Sequence, residues 1–140
     1  MNTQSDRTTL LRRSLQLDGV ASGLCGVLLL AGPGPVSALI GLAEPGIARV
    51  VGALLVVYAA ALLYNGARAT ISRAEAVAAV VLNAGWVVGS GVLILAGPLT
   101  TIGSLAVAAV AAAVLLFAVL EVVGLARVGA GTGTHGAPVV

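Results

Sequence analysis

The sequence predicts an all-α fold, a four-helix transmembrane bundle built from two helical hairpins in parallel repeat. Three observations predict it. Four apolar runs, each close to the ~20 residues needed to cross a bilayer, occupy most of the 140-residue chain. Hydrophobic side chains make up 59% of the sequence and charged ones 9%, and the mean hydropathy of +1.13 excludes a water-soluble globule. Finally, the segment Gly26-Val27-Leu28-Leu29-Leu30-Ala31-Gly32-Pro33 recurs as Gly91-Val92-Leu93-Ile94-Leu95-Ala96-Gly97-Pro98 at an offset of 65 residues. Parallel repeats related by an axis along the membrane normal are a recurrent way of building helical membrane proteins.

Residues 1–13 read as a cytoplasmic segment, 14–127 as the membrane domain and 128–140 as a disordered tail rich in Gly, Thr, Ala and Pro. The first span runs about 15–31 and stops at Gly32, Pro33, Gly34 and Pro35, where prolines remove donors and obstruct a continuing helix. A second apolar piece, Val36 to Ala43, is too short to cross and is expected at the outer interface. Glu44, Pro45 and Gly46 introduce the second span, about 47–66; Arg68, Ser72 and Arg73 form the middle loop. The third span, about 74–97, turns at Gly97 and Pro98 into the fourth, about 101–125.

Cytoplasmic loops carry the excess of basic residues. With the N-terminus inside, Arg7, Arg12, Arg13, Arg68, Arg73 and Arg127 are cytoplasmic and Arg49 alone is outside. Both termini are therefore expected in the cytoplasm. Arg12 and Arg13, an apolar stretch and then Val36-Ser37-Ala38 also resemble a cleavable signal peptide. Against cleavage of residues 1–38 stands the repeat, which makes the first span a structural counterpart of the third.

Association of helices in lipid depends on close approach through small residues. Gly19 with Gly23, Ser22 with Gly26, and Gly85 with Gly89 share helix faces at four-residue spacing, and packing within the chain is the leading expectation, with contact to a second copy as the alternative. Tyr58 and Trp86 lie inside their spans and are expected to be buried with their polar tips hydrogen-bonded.

Counting ~1.5 Å per residue from the arginine-bearing ends, Asp18, Glu121 and Asn83 fall at one depth, ~8–10 Å inside the cytoplasmic boundary, with Tyr64 and Asn65 slightly shallower. Every span thus offers a polar side chain to one layer. Ionisable groups in spans usually face a bundle interior, a partner or water. If Asp18 and Glu121 meet, they can share a proton with Asn83 or Tyr64 donating; the alternatives are a structural polar network near the headgroups with Arg12, Arg13 or Arg127 reaching in, and a docking surface for another subunit.

Several classes are excluded. The one histidine, His135, lies in the tail and the one methionine is Met1, so haem ligation within a span, a zinc site and a serine hydrolase each lack their residues. Cys25 alone makes neither a disulfide nor a thiolate cluster. No metal, no cofactor and no catalytic residue is expected. Nothing supports nucleic-acid binding, and the +2 formal charge is read as topology.

Leu15-Gln16-Leu17-Asp18 with Ser22, Gly23 and Gly26, then Tyr58-Ala59-Ala60, then Asn83-Ala84-Gly85-Trp86 with Ser90 resemble a group of small four-span bacterial integral membrane proteins of unassigned function, frequent in actinobacteria. The resemblance covers about residues 10–127 and implies architecture and an inner-membrane location without a mechanism. Small multidrug-resistance transporters are a poorer match: they have a glutamate in the first span, where this chain has Asp18. The first expectation for function is a non-enzymatic membrane protein that self-associates or serves as an accessory subunit of a larger membrane complex, with the lipid bilayer as its surroundings. The alternative is a small proton- or cation-coupled transporter using Asp18 and Glu121. Outward-facing acids favour the former, convergent acids the latter.

Overall fold

A computed structural model describes the backbone of residues 3–129 and the side chains of residues 8–129. The tail beyond 129, with His135 and the disorder expected there, lies outside the described residues. The chain forms α1 (Thr3–Ala31), α2 (Pro33–Ile40), α3 (Pro45–Ala67), α4 (Arg73–Ala96) and α5 (Thr101–Gly129). Four of these, α1, α3, α4 and α5, are long and apolar enough to cross a membrane. The fold is the expected all-α bundle.

Two boundaries differ from the sequence reading. Residues 3–13 are helical and continuous with the first span, and α5 continues four residues past Leu125. Pro33 and Pro35 do end α1, yet they also open α2: Gly32 is the N-cap and Pro33 begins the first turn. The leading N–H groups of a helix have no intrahelical acceptor, so prolines cost little there. α2 closes on Gly41, whose φ of 89° lets its N–H and that of Leu42 reach the Ser37 carbonyl, each at 2.9 Å.

α2 is tied to the turn between α4 and α5. Thr100 donates its N–H to Ile40 O at 3.1 Å and its hydroxyl to Leu39 O at 2.7 Å, while Gly103 N–H donates to Thr100 Oγ1 at 2.9 Å and so caps α5. Gly103 packs directly on the Ile40 carbonyl, leaving no room for a Cβ. At the other end, Asn65 clamps the middle loop, donating to Ser72 O at 3.2 Å and accepting from Ser72 N–H at 2.8 Å. Ser72 in turn caps α4 through Glu75 N–H.

Around the bundle, α1 packs most extensively on α3, α4 on α5, and α1 on α5, while α3 and α4 meet along a thin seam. Among the four long helices the tightest approach is between α1 and α3, where a Cβ on Gly26 would lie 2.8 Å from Gly52 O and one on Gly52 2.9 Å from Gly26 O. α1 and α5 are held by Gly124, whose added Cβ would meet Leu11 Cα at 2.9 Å.

The polarity of this bundle is inverted. Large apolar residues face outward along every long helix, Leu95 being 88% exposed, and the fully buried set includes Ser14, Asp18, Asn65 and Glu121. A water-soluble bundle turns its leucines and valines inward; this arrangement is stable only where the surroundings are hydrocarbon. The chain is a multi-pass membrane protein.

Candidate functional site: a four-helix polar cluster

One polar side chain from each long helix meets its counterparts inside the bundle. Asp18 of α1 and Glu121 of α5 are both 0% exposed, brought to one level because α1 and α5 run in opposite directions with these residues a similar distance from the arginine-bearing end. Asn83 of α4 lies between them. Its amide nitrogen donates to Asp18 Oδ2 at 2.8 Å and to Glu121 Oε2 at 3.3 Å. The two repeat-related residues, Asp18 and Asn83, thus bond to each other across the interior.

Tyr58 of α3 completes the group. Its hydroxyl lies 3.0 Å from both Asp18 Oδ2 and Asn83 Oδ1, and Ser22, one turn above Asp18, donates to Asp18 Oδ1 at 3.0 Å. Ser22, Tyr58 and the Asn83 amide hold four hydrogens for these five contacts. Tyr58 can donate to one oxygen only; the network closes when one carboxyl supplies a hydrogen to the phenolic oxygen. Glu121 Oε1 is buried and accepts no hydrogen bond.

Arginines do not serve this layer. Arg12 donates instead to the Gly66 carbonyl, to Arg68 O at 2.8 Å and to Ala69 O at 3.4 Å, capping the C-terminal end of α3, where cations are favoured. Arg68 pairs with Glu75 at 3.2 Å and stacks over Tyr64 at 5.5 Å. Among the described residues, no ion pair reaches Asp18 or Glu121, and no group of three or more His, Cys, Asp or Glu side chains could hold a metal.

Four expectations from the sequence are corrected here. Tyr64 is 66% exposed and outside the cluster, and Asn65, though buried, serves the middle loop. The tyrosine that does reach the acids is Tyr58, six residues deeper. Depth counting put both tyrosines on α3 but could not tell which way each points; the signal that separates them is that Tyr58, Leu62 and Asn65 follow one another on a single helix face. Trp86 is partly buried as expected, but its Nε1 has no acceptor. The glycine pairs also divide. An added Cβ on Gly19 would meet Leu63, one on Gly23 would meet Ala59 and one on Gly26 would meet Gly52 and Val56, so these pack α1 on α3. Gly85 and Gly89 meet nothing within 4 Å and make no packing within the chain.

No family model, curated protein or solved structure matches the chain. The chemistry of the cluster is what defines the class: a polytopic membrane protein with two buried carboxyls and, among the described residues, no counter-cation.

Proposed function

We propose that the chain is a non-enzymatic, proton-coupled carrier of a bacterial plasma membrane, both termini cytoplasmic, related to the small four-span proteins it resembles. The observation that carries this is the meeting of Asp18 and Glu121, each fully buried, through one amide with no arginine beside them. Two carboxylates in hydrocarbon surroundings cannot both remain charged without a partner. A shared proton supplies the missing charge and the missing hydrogen together. A metal cation fits less well, because the space between the carboxyls is filled by the donating NH₂ of Asn83.

The test is a pH-gradient assay in proteoliposomes, with an entrapped pH dye and a sodium or potassium gradient imposed in turn. Wild-type protein is expected to move protons when one of these gradients is applied, and Asp18→Asn and Glu121→Gln are expected to abolish this while remaining folded. Flux unchanged in both variants overturns the reading.

A second reading, a self-associating or accessory subunit, is favoured by one observation, the open face of α4 at Gly85 and Gly89. Small residues on a lipid-facing surface permit a second helix to approach closely. Under this reading Gly85→Leu with Gly89→Leu converts an oligomer in mild detergent to a monomer, and a wild type that is already monomeric without a partner removes it.

A further inference from the structure

We propose that the cluster exchanges its proton through the half of the bundle that carries α2, along a water-bearing track past Trp86 and Ser90, and that the arginine-bearing half is sealed. The proposal rests on the proton-site reading and adds the route. Its first ground is an asymmetry in what fills the interior. One contiguous group of buried apolar side chains, Leu11, Leu15, Leu62, Ala76, Ala79 and Leu125, lies on the arginine side of the cluster and holds all the buried leucines. Leu11 and Leu15 precede Asp18 and Ala76 and Ala79 precede Asn83 on helices that leave that end, whereas Leu62 follows Tyr58 and Leu125 follows Glu121 on helices that return to it. A cleft of about 160 Å³ lined by Thr8, Arg12, Thr70 and Arg73 reaches Leu11 and Leu125 from the arginine end; below it Leu15, Leu62, Ala76 and Ala79 form the apolar layer that separates it from the cluster.

The opposite half is lined differently. Buried side chains there are those of Ser22, Ala48, Ala59, Ser90 and Ala118, with Ser37 of α2 at the far end, beside the buried glycines Gly26, Gly52 and Gly103. Asn83, Trp86 and Ser90 follow at three- and four-residue spacing on one face of α4 and climb ~10 Å from the cluster.

The second ground is independent. Three buried side-chain atoms among the described residues have no hydrogen-bond partner, namely Glu121 Oε1, Trp86 Nε1 and Ser37 Oγ. Glu121 belongs to the cluster, Trp86 lies one turn above it, and Ser37 belongs to α2, which covers that end. Orphaned buried polar atoms are costly unless water satisfies them, and a site with several polar groups and small neighbours suits water. Asn83 from α4 bridges Asp18 of α1 and Glu121, and Tyr58 from α3 reaches Asp18, so a proton arriving by water has acceptors at the bottom of the track, whereas the buried polar groups of the arginine side are engaged locally, Ser14 with the Leu10 carbonyl and Asn65 with Ser72.

The experiment is infrared spectroscopy of the protein in nanodiscs, following the carboxylic C=O band as the buffer is changed from H₂O to D₂O. The band is expected in the wild type and absent in Glu121→Gln or Asp18→Asn. Trp86→Phe and Ser90→Ala are expected to keep the band and the melting temperature while slowing its deuterium shift by roughly tenfold, the rate equivalent of one lost hydrogen-bonding step. Ser14→Ala, on the sealed side, is expected to leave the exchange rate unchanged. A band whose exchange is unaffected by Trp86→Phe and Ser90→Ala, or is slowed by Ser14→Ala instead, overturns the route and leaves the proton site standing. Absence of any carboxylic band in the wild type overturns the proton site, and the route with it.

Discussion

Asn83 joins the two acids of the interior through its two amide hydrogens, one to each carboxyl. Replacing it by leucine of similar bulk leaves both acids without that donor, and each orphaned buried group costs about 1–3 kcal/mol. Asn83→Leu is therefore expected to lower the midpoint of unfolding in detergent sharply, and Asn83→Gln to recover part of it. Tyr58→Phe removes a hydroxyl while keeping the ring; since interhelical hydrogen bonds in membranes average ~0.6 kcal/mol, a small drop in stability is expected, distinguishable from Asn83→Leu in the same melt. Tyr64→Phe, by contrast, changes an exposed ring outside the network and should be silent. Asp18, Glu121 and Asn83 were legible in the sequence because polar residues stand out against apolar spans and depth can be counted along a helix. Tyr58 was harder to place, since rotation about the helix axis decides what a tyrosine touches.

At the level of the helices, the glycines show how much spacing alone conveys. Gly26 and Gly85 both belong to small-xxx-small pairs, yet Gly26 lies against Gly52 and Val56 of α3 and Gly85 faces open space. Gly26→Leu is expected to cost about 1–3 kcal/mol through overpacking, read as a lowered melting temperature. Gly85→Leu should change the stability of an isolated chain by less than about 0.5 kcal/mol. The contrast arises because the repeat is only partly realised in packing: the α1 contact with α3, to which Gly26 belongs, has its counterpart in α4 with α5, and that second interface is the less extensive. Arg12 belongs to the same scale. It spans from α1 to the last carbonyls of α3, and Arg12→Ala is expected to fray that helix end, read as faster amide exchange in residues 64–68 with the core of α3 unchanged.

For the molecule as a whole, the inside-out distribution of polarity ties topology to chemistry. Arginines gather where the chain enters and leaves α1, α3, α4 and α5 at one end, the leucine layer lies just within that end, and the acids lie beyond it. A reporter fused after Arg127 is expected to be active only in the cytoplasm, and one inserted at Glu44 only outside. The sequence by itself determined the four spans, their arginine-bearing ends and the shared depth of Asp18, Asn83 and Glu121, because hydrophobic length, arginine placement and rise per residue are properties read along one helix at a time. Tertiary structure alone decided that the acids converge on Asn83 and Tyr58, that Gly85 and Gly89 stay uncovered, and that the buried leucines all gather in one half of the interior. Those outcomes depend on how the helices rotate and tilt against one another, which close approach at Gly26, Gly52 and Gly124 sets.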